Sequence, residues 1–191
     1  MTKKRVAYVE APMSSSDFFS AYAHLATTDR HILLESANGG TLSIAGIDPL
    51  ATYESANGEN RLTVTWADGK VEQEEGDPLE LLERRLTKYT FEPIEALPAF
   101  QGGVLGYISY DYVRRYVTIE PSTRLDIDVP DLYFYLFDQW VVYDHTKQIA
   151  YFIGLSGCID CVRALRREWE EVKERPLREV KKTSIGEVTI E

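Results

Sequence analysis

The chain has 191 residues, of which 44% are hydrophobic and 27% charged, and this composition is that of a globular domain rather than a disordered segment. Its 21 Lys and Arg against 31 Asp and Glu give a net charge of −10, so nucleic acid and membrane surfaces are poor partners. Without a membrane-spanning apolar run, a signal peptide or a disulfide framework, the sequence predicts a cytoplasmic protein.

The first part of the chain predicts short strands joined by tight turns, with one amphipathic helix near the N-terminus. The Ser-rich segment before residue 17 offers N-cap residues for that helix, and Asn57-Gly58 and Asp68-Gly69 are hairpin signals. We therefore predict a helix at 16–27 and strands at 5–10, 31–35, 41–47, 50–55, 61–66 and 70–74.

The second part predicts two helices and four further strands. Asp77-Pro78 is a typical helix start, and this helix should end near Tyr89. A glycine-rich strand at 101–110, two strands within 132–143, a strand at 148–154 and a helix at 158–174 follow. The irregular order of elements predicts an α+β fold with a largely antiparallel sheet and helices on one face.

The segment 132–137 is apolar on both faces of the predicted strand. One face should therefore meet the helices and the other a second layer. If that layer lies outside this chain, the segment 132–143 would expose an apolar surface and the protein would self-associate.

Cys158 and Cys161 allow three interpretations. A redox pair would need a thiol activated at a helix N-terminus, and a zinc site would need two further ligands. The spacing with Val162, Leu165 and Trp169 favours a third interpretation, in which both cysteines are small hydrophobic residues on the apolar side of the last helix.

Glycines and aspartates offer no convincing catalytic centre. The glycines of segment 101–107 lie in a strand and indicate close backbone packing rather than a phosphate-binding loop. The numerous aspartates show no spacing that forces a shared site, and we interpret them as a solvated acidic face: Asp48, Asp68, Asp77, Asp111, Asp126, Asp128 and Asp131.

The strongest candidate binding site is the end of the strand at 31–35. Glu35 and Ser36 end a strand that we predict to be buried and precede a glycine turn, so the next strand should run back antiparallel and bring 41–43 beside them. A carboxylate with hydroxyl groups can hold an ammonium group. Alternatively, the turn's own backbone amides satisfy Glu35 and Ser36.

Four segments in the same order resemble those of a known family. They are Leu-Leu-Glu-Ser-Ala at 33–37, Ser-Ile-Ala-Gly-Ile-Asp-Pro at 43–49, Gly-Asp-Pro-Leu at 76–79 and Phe-Gln-Gly-Gly-Val-Leu-Gly-Tyr-Ile-Ser-Tyr-Asp at 100–111. Over about residues 5–155 the chain is similar to the N-terminal domain of component I of anthranilate synthase and of aminodeoxychorismate (para-aminobenzoate) synthase.

The resemblance implies a domain without catalytic or metal-binding residues of its own. In the family, chorismate and magnesium bind to a C-terminal domain, and the sheet of the N-terminal half packs on that domain in a helix–sheet–sheet–helix sandwich. We expect residues 1–175 to form the N-terminal domain. Residues 176–191 should form a flexible tail that leads to the absent chorismate-binding domain.

The resemblance also implies a tryptophan site between the two halves. Glu35 and Ser36 correspond directly to that site, and Thr41, Leu42 and Ser43 correspond less closely. Many relatives carry Arg and Tyr where this chain has Thr41 and Leu42, which argues against regulated tryptophan binding. The short loop at 37–40 favours an aminodeoxychorismate synthase of the folate pathway.

Four hypotheses remain open. The chain is the non-catalytic N-terminal domain of aminodeoxychorismate synthase component I, supplied with ammonia by a glutamine amidotransferase subunit, or the tryptophan-sensing domain of anthranilate synthase component I. Alternatively, it is a free-standing small-molecule-binding module. A thiol oxidoreductase that uses Cys158 and Cys161 is the fourth hypothesis.

Overall fold

The computed structural model of the protein describes residues 6–35, 40–118 and 129–176. Within these ranges the chain forms ten β-strands and three α-helices, with 3-10 helices at Thr87–Tyr89 and Tyr110–Arg115. The strands are β1 Ala7–Pro12, β2 His31–Leu34, β3 Leu42–Ile47, β4 Ala51–Ser55, β5 Arg61–Trp66, β6 Val71–Glu75, β7 Val104–Ile108, β8 Leu132–Leu136, β9 Gln139–Asp144 and β10 Ile149–Gly154. The helices are α1 Ser15–Leu25, α2 Pro78–Leu86 and α3 Ile159–Val172.

The described strands make two five-stranded sheets in which every neighbouring pair is antiparallel. The first sheet has the order β1-β10-β9-β3-β2, and the second has the order β6-β5-β4-β8-β7. The predicted α+β class with antiparallel strands is thereby confirmed, with the strands divided between two sheets. Hairpins account for β4–β5 and β5–β6, whereas the β3–β9 pair joins residues about a hundred positions apart.

The helix starts follow from capping side chains that the sequence places there. Ser14 is the N-cap of α1, and its Oγ accepts a hydrogen bond from the Asp17 N–H at 3.1 Å. Asp77 is the N-cap of α2 and accepts from two backbone N–H groups, while Pro78 occupies the first helical position. These caps satisfy N–H groups that have no partner inside the helix.

Helices α1 and α3 cover one face of the first sheet. The ring of Phe18 in α1 stacks on Tyr143 of β9 with centroids 4.9 Å apart, and it lies 5.4 Å from the Trp169 ring in α3. All three side chains are buried in one cluster with Phe152. Each such side chain contributes about 2–3 kcal/mol through removal of its apolar surface from water.

The second sheet has its own helical cover and its own core. Leu81 and Leu82 of α2 and Tyr112 of the second 3-10 helix pack with Leu132 and Leu136 of β8. The two sheets are therefore each stabilised on one face by the helices that lie close to them in the chain.

A third apolar cluster combines the other faces of both sheets. Tyr135 and Phe137 reach it from β8 and its end, and Trp140 and Val142 reach it from β9. The layer that covers the second face of β8 thus lies within this chain, and Trp140 is only 3% exposed. The expectation of an exposed apolar surface at 132–143 is wrong, and the expected self-association loses its basis, because the two strands of this segment enter different sheets.

Cys158 and Cys161 do not lie on the buried side of α3. Cys158 is the N-cap, Cys161 is exposed, and a disulfide bond joins them. The buried side of the helix consists of Val162, Trp169 and Val172. The interpretation of Cys158 and Cys161 as small hydrophobic residues on the apolar side of the helix is wrong. Cys158 is the N-cap and therefore precedes the helical repeat on which that interpretation depends.

The glycine-rich segment packs closely, as predicted. Strand β7 pairs with β8, and a Cβ atom on Gly106 would lie 2.0 Å from the carbonyl oxygen of Tyr133. Gly102 and Gly103 have φ values of 148° and 123°, which favour glycine. These glycines precede and belong to a strand, which is not the setting of a phosphate-binding loop.

The solvated acidic face is only partly correct. Asp48 and Asp68 are exposed, whereas Asp131 is 3% exposed and pairs with Arg115. Outside the described residues lie Asp126, Asp128 and nearly all of the predicted flexible tail at 176–191. No helix in the described ranges is both long and apolar enough to cross a membrane.

Candidate functional site

The predicted ammonium-binding residues lie where β2 ends and β3 begins. Leu34 pairs with Ile44 in antiparallel register, so Glu35 and Ser43 are the next residues on the two strands. The predicted return of the chain is confirmed. Glu35 directly follows β2, Thr41 directly precedes β3, and both are exposed. We call this end of the β2–β3 pair the edge formed by Glu35 and Thr41. Ser36 lies outside the described residues.

Ser43 is buried and already has a partner within the protein. Its side chain is 0% exposed, and its Oγ lies 2.8 Å from Nε2 of His145. The His145 ring packs edge-on against Tyr143 with centroids 4.8 Å apart, and its backbone N–H donates to the Thr41 carbonyl oxygen at 2.8 Å. Ser43 therefore fixes the start of β3 against the turn after β9.

Leu42 lies on the other face of the sheet from Ser43, because successive strand residues alternate between faces. It packs against the third apolar cluster, between the two sheets. In the β3–β9 register its partner is Asp144. Leu42 and Ser43 thus lie at the same end of β3, an inner strand of the first sheet, without sharing a face.

Asp144 organises the turn beside this edge. Its Oδ1 accepts a hydrogen bond from the Thr146 hydroxyl at 2.6 Å and from the Thr146 and Lys147 N–H groups at 2.9 and 3.0 Å. Burial raises the pKa of Asp144, but these hydrogen bonds outweigh burial and hold the pKa below its usual value. The carboxylate is ionised at neutral pH and keeps the turn rigid.

A cavity of about 350 Å³ lies at the far end of β3. Its lining includes the buried residues Ala45, Val141 and Trp169 and the acidic residues Asp138 and Glu168. None of the five predicted site residues lines it. The cavity is therefore separate from the edge formed by Glu35 and Thr41.

The edge formed by Glu35 and Thr41 supplies a carboxylate and a hydroxyl to solvent, which suit an ammonium group. Among the described residues, no group of three or more His, Cys, Asp and Glu side chains could hold a metal ion. Sequence reasoning missed His145, whose approach to Ser43 depends on the β3–β9 pairing. A histidine directly after a buried apolar strand was the one available signal.

The two-sheet architecture defines the class of protein as an α+β domain of known fold. The structure matches component I of anthranilate synthase from Streptococcus pneumoniae with a TM-score of 0.55 at 23% identity, over 81% of this chain and 34% of that chain. This likeness is one of fold. No family model matches the sequence.

Sequence comparison identifies the family. The chain is 35% identical over 154 residues to aminodeoxychorismate synthase component 1 of Bacillus subtilis, covering 80% of this chain and 32% of that protein. It is 33% identical over 151 residues to anthranilate synthase component 1 of Acetivibrio thermocellus, covering 71% of this chain and 30% of that protein. The chain is homologous to the N-terminal region of these component I proteins and spans about a third of their length.

Proposed function

We propose that this chain is the non-catalytic N-terminal part of an aminodeoxychorismate synthase component I that acts in folate biosynthesis. The intact enzyme would convert chorismate, with ammonia from a glutamine amidotransferase subunit, into 4-amino-4-deoxychorismate. The proposal depends on one observation above all, the 35% identity to the Bacillus subtilis protein over 80% of this chain. Magnesium and chorismate would bind in the remaining two thirds of the intact protein.

The second candidate is the corresponding part of an anthranilate synthase component I. The match to the Acetivibrio thermocellus protein, 33% identical over 71% of this chain, supports it. The two candidates share the fold and differ in the product of the intact enzyme.

We further propose that the edge formed by Glu35 and Thr41, together with Ser36, is this chain's share of a tryptophan-like ligand site. The exposed Glu35 carboxylate would accept the ammonium group of the amino acid, and the Thr41 hydroxyl would add a hydrogen bond. Leu42 and Ser43 would act through packing, since Ser43 is buried against His145. The remaining walls would come from the C-terminal part of the intact protein.

A pair of chimeras tests the choice between the two pathways. This chain replaces the aligned N-terminal region in the Bacillus subtilis protein and, separately, in the Acetivibrio thermocellus protein. Each chimera receives chorismate, ammonium and magnesium, and the products are separated by chromatography. We expect the first chimera to retain a substantial fraction of parental activity and the second to lose most of it.

The controls are the two C-terminal parts without any N-terminal region. Activity in the anthranilate synthase chimera alone would contradict the folate assignment and favour the second candidate. Folded chimeras that are both as inactive as their controls would contradict both candidates and favour a free-standing binding module.

A further inference from the structure

The two cysteines of this chain form a feature that the proposed function does not use. Cys158 and Cys161 are joined by a disulfide bond with their Cα atoms 5.3 Å apart. Cys158 is the N-cap of α3, a helix of 14 residues, and Cys161 lies in its first turn. The spacing Cys-x-x-Cys at a helix start is one that activates thiols in proteins.

The bridge lies at the surface and away from the apolar core. Cys161 is exposed and Cys158 is partly exposed, and between them Ile159 is 39% exposed. The helix contacts the core through Val162 and Trp169 instead. Both residues of the bridge are therefore within reach of solvent.

The first turn of α3 favours a thiolate at Cys158. The Cys158 Sγ accepts a hydrogen bond from the Cys161 N–H at 3.2 Å, and this donor remains when the sulfur is reduced. The partial positive charge at a helix N-terminus stabilises a thiolate in the same way. Asp160 adds a negative charge nearby, but Arg163 Nη1 pairs with it at 3.2 Å.

We propose that Cys158 and Cys161 are a thiol–disulfide exchange site, with Cys158 as the attacking thiolate and Cys161 as the resolving thiol. The Cys158 thiolate attacks one sulfur of an external disulfide, which forms a mixed disulfide and releases one external thiolate. Cys161 then loses its proton and attacks the Cys158 sulfur, which closes the bridge and releases the second external thiolate. The protein loses two electrons and two protons, and the external disulfide becomes two thiols.

The test uses glutathione and glutathione disulfide as the probe. Reduced protein is equilibrated at a series of ratios of the two, quenched with acid and alkylated with N-ethylmaleimide, and its intact mass is measured. We expect one reversible transition between a species with two maleimide groups and a bridged species with none. Independent modification of the two cysteines, or the absence of a bridged species at every ratio, would overturn the proposal.

Two single variants test the assigned roles. In Cys161→Ser the remaining Cys158 should attack glutathione disulfide, form a mixed disulfide and release one glutathione thiolate about tenfold faster at neutral pH than Cys161 does in Cys158→Ser. Its alkylation rate by iodoacetamide should reach half its maximum below about pH 8.5, the usual value for a free thiol. Equal rates and equal pH profiles would overturn the assignment of Cys158, and circular dichroism establishes that both variants are folded.

Discussion

Asp131 shows how a single buried carboxylate holds several segments together. Its Oδ2 lies 3.2 Å from Arg115 Nη2 and accepts the Gly58 N–H at 2.9 Å, while its Oδ1 accepts the Ser109 hydroxyl at 3.1 Å. The side chains of Asp131 and Arg115 are only 4% and 11% exposed. This residue therefore ties the β4–β5 turn and the second 3-10 helix to the start of β8.

Replacing Asp131 should be costly. In Asp131→Ala the Arg115 guanidinium stays largely buried without its counter-charge, so we expect a loss of about 3–5 kcal/mol in the free energy of unfolding. Urea denaturation followed by tryptophan fluorescence measures it. Asp160→Ala is the matched control, because its exposed pair with Arg163 contributes less than ~1 kcal/mol. Equal losses in the two variants would contradict this account of Asp131.

Glu35 is the residue through which this chain alone would bind tryptophan. The exposed Glu35 carboxylate alone would bury little of the apolar surface of tryptophan. Burial contributes only ~25 cal/mol per Å² to the free energy of binding, and the loss of translational freedom opposes binding. We therefore expect titration calorimetry with tryptophan to give a dissociation constant weaker than ~1 mM. A micromolar constant that Glu35→Ala abolishes and Glu83→Ala preserves would show that the chain alone is a tryptophan sensor.

At the scale of elements, helix α2 depends on its N-cap. Asp77 Oδ1 accepts the N–H groups of Leu79 at 2.9 Å and Glu80 at 3.1 Å. Asp77→Ala leaves both donors without this acceptor and should reduce the free energy of unfolding by about 1 kcal/mol. Glu83→Ala, in an exposed position on the same helix, should change it by less than ~0.5 kcal/mol. Similar values for both variants would contradict the role of the cap.

The same cap predicts a pH dependence. Burial raises the pKa of Asp77, but hydrogen bonds from the Glu80 and Leu79 N–H groups and from the Tyr112 hydroxyl outweigh it, so the pKa lies below its usual value. Because the unfolded pKa of Asp is about 3.9, the stabilisation is complete above that pH and is lost as the pH falls through the lower folded value. Asp77→Asn should therefore lose less stability than the wild type between about pH 5 and about pH 2. An identical acid profile in both proteins would refute this.

Strand β7 requires glycine at one position of its contact with β8. A Cβ atom on Gly106 would lie 2.0 Å from the Tyr133 carbonyl oxygen and 2.7 Å from the Phe134 Cα. Both are backbone atoms, so the strands must separate, and Gly106→Ala should cost about 1–3 kcal/mol or more. Ile108→Ala on the same strand, where the side chain is 44% exposed, is the control and should cost less. Urea denaturation measures the free energy of unfolding of both variants. An undiminished stability for Gly106→Ala would show that β7 does not pack this closely.

Local signals predicted the elements well and their distant partners poorly. The Asn57-Gly58 turn fixed the hairpin so clearly that β5 has the predicted bounds, Arg61–Trp66. Nothing local indicates that β3 pairs with β9, so the contact between Ser43 and His145 could not be predicted. The antiparallel return of β3 beside β2 was predictable because the two strands are neighbours in sequence. The spacing of Cys158 was misleading because this residue lies one position before α3 begins.

At the scale of the whole molecule, three apolar clusters give the described residues a packed interior. Two of them lie beneath helices, and the third joins the inner faces of the two sheets. A chain that spans about a third of its relatives therefore contains its own packed layers. We propose that such a unit supports the chorismate chemistry of an intact component I protein without performing it.

The most direct test is chorismate conversion by this chain with ammonium and magnesium, alone and joined to the C-terminal part of the Bacillus subtilis relative. Product is followed by absorbance and chromatography. We expect no conversion above background by the chain alone and clear conversion by the joined protein. Conversion by the chain alone that survives repurification would contradict the account.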